Sequence, residues 1–101
     1  MTVLGALDGV RIVDLTQMLA GPFCTMLLAD QGADVIKVEP RTGDQARRSG
    51  TVFINGESAS FLARNRNKRS ITLDLRQPAA QEIAHAWCSA ATSSCTTFAR
   101  V

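Results

Sequence analysis

The sequence predicts an α/β fold built on a parallel sheet, and three observations carry that prediction. Residues 10–40 read without a gap as strand, tight turn, helix and strand; an alternating strand follows at residues 71–75; a helix opened by Pro78 comes after it. Parallel strands need a crossover of about a dozen residues or more, and residues 10–40 supply one in close to the shortest length that works.

Each element has its own reason. Val10, Ile12, Val13 and Leu15 form a near-continuous apolar run with a β-branched bias, which suits a parallel strand covered on both faces. Ala20-Gly21-Pro22 reads as the turn: Gly21 permits a sharp bend, and Pro22 suits a first helical residue, whose N–H has no intrahelical partner. Phe23, Met26, Leu27 and Leu28 then give the helix an apolar face, and Gly32 stops it. Val35-Ile36-Lys37-Val38-Glu39 is the returning strand, closed by Pro40. In such units a ligand binds beyond the carboxyl ends of the strands, so residues 16–22 and 39–41 point at one crevice.

Residues 43–60 hold Gly43, Gly50 and Gly56 among mixed charges without periodicity, and read as a long loop. Arg64, Arg66, Lys68 and Arg69 follow as four cations in six residues. That density fits a phosphate-binding patch or a solvated face, the second being commoner. Ile71-Thr72-Leu73-Asp74-Leu75 alternates as a strand, with Ser70, Thr72 and Asp74 on one side and the aliphatics on the other. The helix from Pro78 has Ala79, Ala80, Ile83, Ala84 and Trp87 on its apolar side, placed to cover the sheet.

With 101 residues, 46% hydrophobic and 20% charged, and a net charge of +2, the chain is one globular domain at most. So few strands protect a parallel sheet poorly, so the expectation is a part of a larger fold. No apolar run approaches a membrane span, and residues 1–9 lack the basic start and apolar core of a signal peptide; a cytoplasmic address without a membrane partner is expected. Eleven Lys and Arg against nine acids, and a basic run without interleaved aromatics, argue against nucleic acid. Cys24, Cys88 and Cys95 are an odd count without CxxC spacing, which predicts reduced thiols, with Cys24 buried in its apolar helix. His85, Cys88 and Cys95 fit no common zinc spacing, and no metal is expected.

Glu39 ends the second strand where a dinucleotide-binding unit places its ribose-binding acid, but the turn offers Gly21 alone where that fingerprint needs three glycines. No Gly-x-x-x-x-Gly-Lys-Ser/Thr loop occurs either. The strings at residues 7–16, Ala20-Gly21-Pro22 and residues 28–40, followed by Gly43-Asp44 and residues 65–75, closely resemble in that order the N-terminal region of family III (CaiB/BaiF-like) CoA-transferases, over about residues 6–86. The resemblance implies part of a Rossmann-like domain that binds coenzyme A as a substrate, without a metal. It implies an enzyme, interlocked as a homodimer, that moves CoA from an acyl-CoA donor to a small carboxylic acid. An α-methylacyl-CoA racemase and a non-catalytic CoA-binding or dimerising module are the rival readings.

Residue by residue, the resemblance assigns CoA contacts to Met18, Leu19 and Ala20 after the first strand and to Leu73 and Arg76 after the basic motif, Arg76 standing where lysine is common. Where a basic residue can follow the second strand's glutamate this chain has Pro40, which makes Arg41 the nearest substitute. Cations and backbone donors suit the 3′-phosphate and pyrophosphate of CoA. The family reaction uses an aspartate that attacks the thioester, passing through a mixed anhydride to an enzyme-bound CoA thioester. Its place falls beyond residue 101, and Asp8, Asp14, Asp30, Asp34, Asp44 and Asp74 all lie upstream. No catalytic residue is therefore expected here, and the chain alone is expected to be inactive.

Residues 87–101 read differently from residues 1–86. Residues 88–97 have neither an apolar period nor a turn signal where the resemblance implies a buried fourth strand, so that strand is expected to be lost and a marginal three-stranded unit to remain. A frayed polar terminus is the plain reading of the break, and a reading-frame shift of one base is the sharper expectation. Read one base earlier, Thr codons decode only as Asp, Asn, His or Tyr, TCN serines only as Val, Ile, Leu or Phe, and Cys codons only as Leu, Met or Val. Thr92-Ser93-Ser94-Cys95-Thr96-Thr97-Phe98 then becomes one polar, three apolar, two polar and one apolar residue. With G or C at most wobble positions, residues 87–101 decode to LVQRGDVVVHNFRAG: a helix end, a strand and an Asn-Phe-Arg turn.

Overall fold

The computed structural model describes residues 5–95. In chain order these form β1 (Arg11–Asp14), α1 (Ala20–Asp30), β2 (Asp34–Glu39), a 3₁₀ turn (Gln45–Arg48), β3 (Phe53–Ile54), β4 (Glu57–Ser58), α2 (Ala59–Asn65), β5 (Lys68–Thr72), α3 (Pro78–Ala90) and β6 (Ser93–Cys95). The main sheet is parallel throughout, in the order β5-β2-β1-β6, and β3 pairs with β4 as a small antiparallel hairpin. The sheet grows from β1 through β2 to β5, and the chain then returns to the other side of β1. Right-handed crossovers put α1 and α2 on one face and α3 on the other, and α1 packs on α2.

The α1 face of the sheet changes character along the strands. Ile12 and Val35 pack with Ala29 and Ala33, flanked by Leu7, Val10 and Leu28. Side chains of one face recur every second residue, so Asp14 and Lys37, partners in the β1–β2 register, come next on that face, and both are buried. An apolar floor under the strand starts thus gives way to buried charge at the carboxyl ends.

The bend after β1 lies earlier than predicted. Gly21 and Pro22 are buried inside the first turn of α1, and the left-handed residue is Met18, at φ 70°. The buried side of α1 is Gly21, Pro22, Thr25, Met26 and Ala29, whereas Phe23 and Leu27 remain 47% and 43% exposed. This corrects the predicted apolar face. Small residues let the helix sit close on the strands, and the large ones are left outside. Cys24 is likewise exposed, not buried.

Residues 43–60 are more ordered than a long loop. Asn55 and Gly56, both at positive φ (51° and 81°), close the β3–β4 hairpin in the turn whose twist matches its strands. The Ser58 hydroxyl then caps α2 by accepting from the Phe61 N–H at 3.4 Å. β5 spans Lys68–Thr72, three residues before the predicted strand, because its register against β2 runs from Val35↔Lys68 to Glu39↔Thr72. Leu73, Asp74 and Leu75 therefore leave the sheet.

At the C-terminal end α3 continues through Cys88 to Ala90, burying Ala80 and Ala84 but leaving Ile83 exposed. The expected loss of the fourth strand is corrected: Ser93–Cys95 pairs with β1, from Ile12↔Ser93 to Asp14↔Cys95. Strand pairing uses backbone groups that every such residue carries. Thr92 begins it, donating its N–H to the Arg11 carbonyl at 3.0 Å and accepting the Arg11 N–H on its hydroxyl at 3.1 Å. The Asn-Phe-Arg turn of the shifted frame lies outside the described residues. No helix among the described residues is long and apolar enough to cross a membrane.

Candidate functional site

At the carboxyl ends of β1, β2 and β5 an open crevice of about 410 Å³ is lined by Leu15, Gln17, residues 38–42 and residues 73–76. The chain forms it there because β2 stops at Pro40, which lacks an N–H to extend the pairing, and β5 stops at Thr72. Three of the sequence-predicted contacts, Arg41, Leu73 and Arg76, meet in this crevice. Met18, Leu19 and Ala20 do not line it. They are exposed in the segment that follows Gln17, which does. Arg76 donates to Asp74 through Nε at 2.9 Å and a terminal nitrogen at 3.1 Å. Those bonds, with the nearby Arg41 charge, hold the Asp74 carboxyl below its ordinary range. The mouth of the crevice thus carries two exposed guanidinium groups, one of them tied to a carboxylate.

Two ion pairs lie buried behind the β1–α1 loop. Asp14 and Lys68 are 3.0 Å apart, and Lys37 and Asp44 are 2.9 Å apart. Asp14 also accepts from the Thr16 N–H at 2.8 Å, from the Thr16 hydroxyl and from the Thr25 hydroxyl at 2.7 Å. Lys68 also donates to the Pro22 carbonyl at 2.9 Å and to Asn65 at 2.8 Å. Burial pushes the Lys68 ammonium below its ordinary pKa despite the Asp14 charge. Burial works the other way on Asp44, but Lys37 and the N–H groups of Ala46 and Met18 outweigh it and hold that carboxyl low.

Glu39 closes β2 at the edge of the crevice without being free to bind. Arg47 grips it with two nitrogens at 2.6 and 2.7 Å, the Asp44 N–H donates at 2.9 Å, and the Ser70 hydroxyl donates to it as well. Burial alone would raise its pKa, but these bonds bring it from 4.5 to about 2. Arg47 in turn lies 3.9 Å over the ring of Phe61. An acid whose oxygens are taken in this way is not the free ribose acceptor of a dinucleotide site.

The basic run is a solvated, ion-paired face at Arg66 and Arg69, whose side chains are 62% and 64% exposed, and it turns inward at Lys68. Lys68 is buried on Asp14, Arg66 pairs with Asp30 at 2.6 Å, and Arg69 pairs with Asp34 at 2.7 Å. The run staples β5 to α1 and β2. The buried pairs were the residues missed by sequence reasoning, although a signal existed: Asp14 and Lys37 interrupt runs that otherwise read as fully buried strands, where a charge needs a partner. Among the described residues no three His, Cys, Asp or Glu side chains converge as metal ligands, and the side chain of Cys95 lies outside that description.

Parallel strands, an order that reverses beside β1 and a cation-edged crevice at the strand ends define a domain of the kind that binds phosphate-bearing cofactors. Residues 7–91 match the family described as CoA-transferase family III, and the chain belongs to that family. Similar proteins include the succinyl-CoA:glutarate CoA-transferase of Mus musculus, 58% identical over 73 residues, which are 71% of this chain and 17% of that protein. The formyl-CoA:oxalate CoA-transferase of Afipia carboxidovorans is 53% identical over 79 residues, 77% of this chain and 19% of that protein. The chain thus spans about a fifth of the length of these relatives. Among solved structures, a CaiB/BaiF family protein from Brucella suis superposes with a TM-score of 0.88 at 39% identity, over 95% of this chain and 26% of that one.

Proposed function

We propose that this chain is the CoA-binding part of an enzyme that transfers CoA from an acyl-CoA donor to a small carboxylic acid. The observation that carries the reading is the meeting of Arg41, Leu73 and Arg76 at the strand ends, beside the loop that presents Met18, Leu19 and Ala20. Two guanidinium groups suit the 3′-phosphate and pyrophosphate of CoA, and Leu73 with Leu75 gives an apolar wall for the adenine. Pro40 leaves Arg41 to take the place of a cation directly after Glu39.

The chemistry of transfer needs a nucleophilic carboxylate facing the thioester. Asp14 and Asp44 are fully buried in ion pairs, Asp30 and Asp34 are paired with arginines, Asp8 is exposed away from the crevice, and Asp74, the one aspartate lining the crevice among the described residues, is held by Arg76. That supports a chain that does not itself transfer CoA; the proposal also takes residues 87–101 as read from a shifted frame. In the full-length enzyme the proposal includes a cytoplasmic homodimer. Titration calorimetry of the chain with CoA tests the binding reading: heat that saturates, and that falls when Arg76→Ala is introduced, is expected. Absence of binding at millimolar CoA overturns it, and measurable CoA transfer by the chain alone overturns the inactive reading.

A further inference from the structure

Four charges are buried beneath a loop that apolar residues would support at least as stably, and the hydrogen bonds of one pair indicate its task. Asp44 accepts the Met18 N–H at 3.1 Å and the Ala46 N–H at 2.9 Å on one oxygen, and its other oxygen lies 2.9 Å from Lys37 Nζ. Lys37 Nζ also donates to the Thr16 carbonyl at 3.0 Å. The pair therefore grips the chain on both sides of Gln17, at the carbonyl of residue 16 and the amide of residue 18. Met18 stands at φ 70°, a left-handed conformation that a residue with a Cβ holds only when its surroundings impose it. The Asp14–Lys68 pair reaches this loop only at its start, where Asp14 accepts from Thr16, and its bonds to Thr25, Pro22 and Asn65 join β1 and β5 to the helices.

We infer that Lys37 and Asp44 are positioning residues: they hold the β1–α1 loop in the shape that presents Gln17 to the crevice and Met18 to Ala20 at its side, and they do not touch the ligand. At 1% and 0% side-chain exposure they have no surface to offer one. The inference takes its ligand from the CoA reading above, but the loop geometry stands independently of that reading.

The test compares the parent chain with the double variant Lys37→Met/Asp44→Leu and with Lys37→Met/Asp44→Asn. Replacing a whole buried pair by apolar side chains commonly leaves a fold as stable as before, so the double variant separates positioning from stability. It is expected to keep the parent's thermal midpoint while the Met18 amide, followed by NMR hydrogen exchange, exchanges about tenfold faster and CoA binds about tenfold more weakly. The variant Lys37→Met/Asp44→Asn keeps an oxygen for the Met18 N–H without leaving a buried ammonium unpaired, and is expected to rescue most of that protection. Unchanged exchange and affinity in the double variant overturn the inference. So does an unprotected Met18 amide in the parent, or a uniform loss of protection with a lower midpoint, which marks a purely structural pair. A parent that binds no CoA defeats the CoA reading alone, and Met18 exchange then decides the positioning role.

Discussion

The residues beneath the carboxyl ends of β1 and β2 are charged and yet buried. Glu39 makes the acid dependence of the fold explicit. Its carboxyl falls from 4.5 to about 2 on folding, so the charged form is the stabilised one. That contribution is complete above the unfolded value and disappears as pH falls through the folded value. Stability is expected to drop between about pH 4.5 and 2, by up to roughly 2–3 kcal/mol from this group. Urea titrations at pH 6 and pH 3 check it, with Glu39→Gln flattening the difference. The Asp14–Lys68 pair makes a harsher prediction. Lys68→Met leaves Asp14 buried without its cation, a loss of about 3–5 kcal/mol, and circular dichroism should find that variant unfolded.

At the scale of elements, backbone conformation sets the boundaries. Gly32 ends α1 at φ 103°, and a Cβ there would come within 3.1 Å of the Gly5 backbone. Gly32→Ala is therefore expected to lower stability by about 1–3 kcal/mol through strain, read as a drop in the thermal midpoint. β6 carries the opposite opportunity. Ser93, Ser94 and Cys95 pair with β1 through their backbone, but their intrinsic strand preference is weaker than that of the valines of the shifted frame. The triple substitution Ser93→Val, Ser94→Val and Cys95→Val is expected to raise the thermal midpoint, on a propensity scale that spans about 1 kcal/mol per residue. A lower midpoint would count against the shifted frame as the native strand. Sequencing the gene across codons 84–101 tests the frame directly.

For the whole molecule, what remains uncovered matters as much as what is packed. Leu19, the N-cap of α1, and Phe23 and Leu27 within it recur every four residues, and Val52, Phe53 and Ile54 lie in and just before β3, all of them exposed. Apolar surface of this extent favours association. The chain is expected to sediment with a mass that rises with concentration, and Phe23→Lys with Leu27→Lys should reduce that rise without lowering the thermal midpoint.

Much of the framework was legible in the sequence, because β-branched runs, helical spacing and terminal prolines act locally: the β1–α1–β2 unit, the helix from Pro78 and the crevice at the strand ends follow from them. Leu73 and Arg76, named by resemblance to a family, and Arg41, named as a nearby substitute, line that crevice. The hairpin and α2 were also signalled, by Asn55-Gly56 and Ser58, but the glycines around them dominated the reading as a loop. What only the tertiary structure decided was pairing across the chain. Lys37 meets Asp44 and Lys68 meets Asp14, because the strand order and the course of the loops put charges in contact that lie 7 and 54 positions apart, while Arg66 and Arg69 pair at the surface. It also decided that residues 93–95 join the sheet. A backbone offers its hydrogen bonds to whatever edge is open, and no pattern of side chains announces which edge that is.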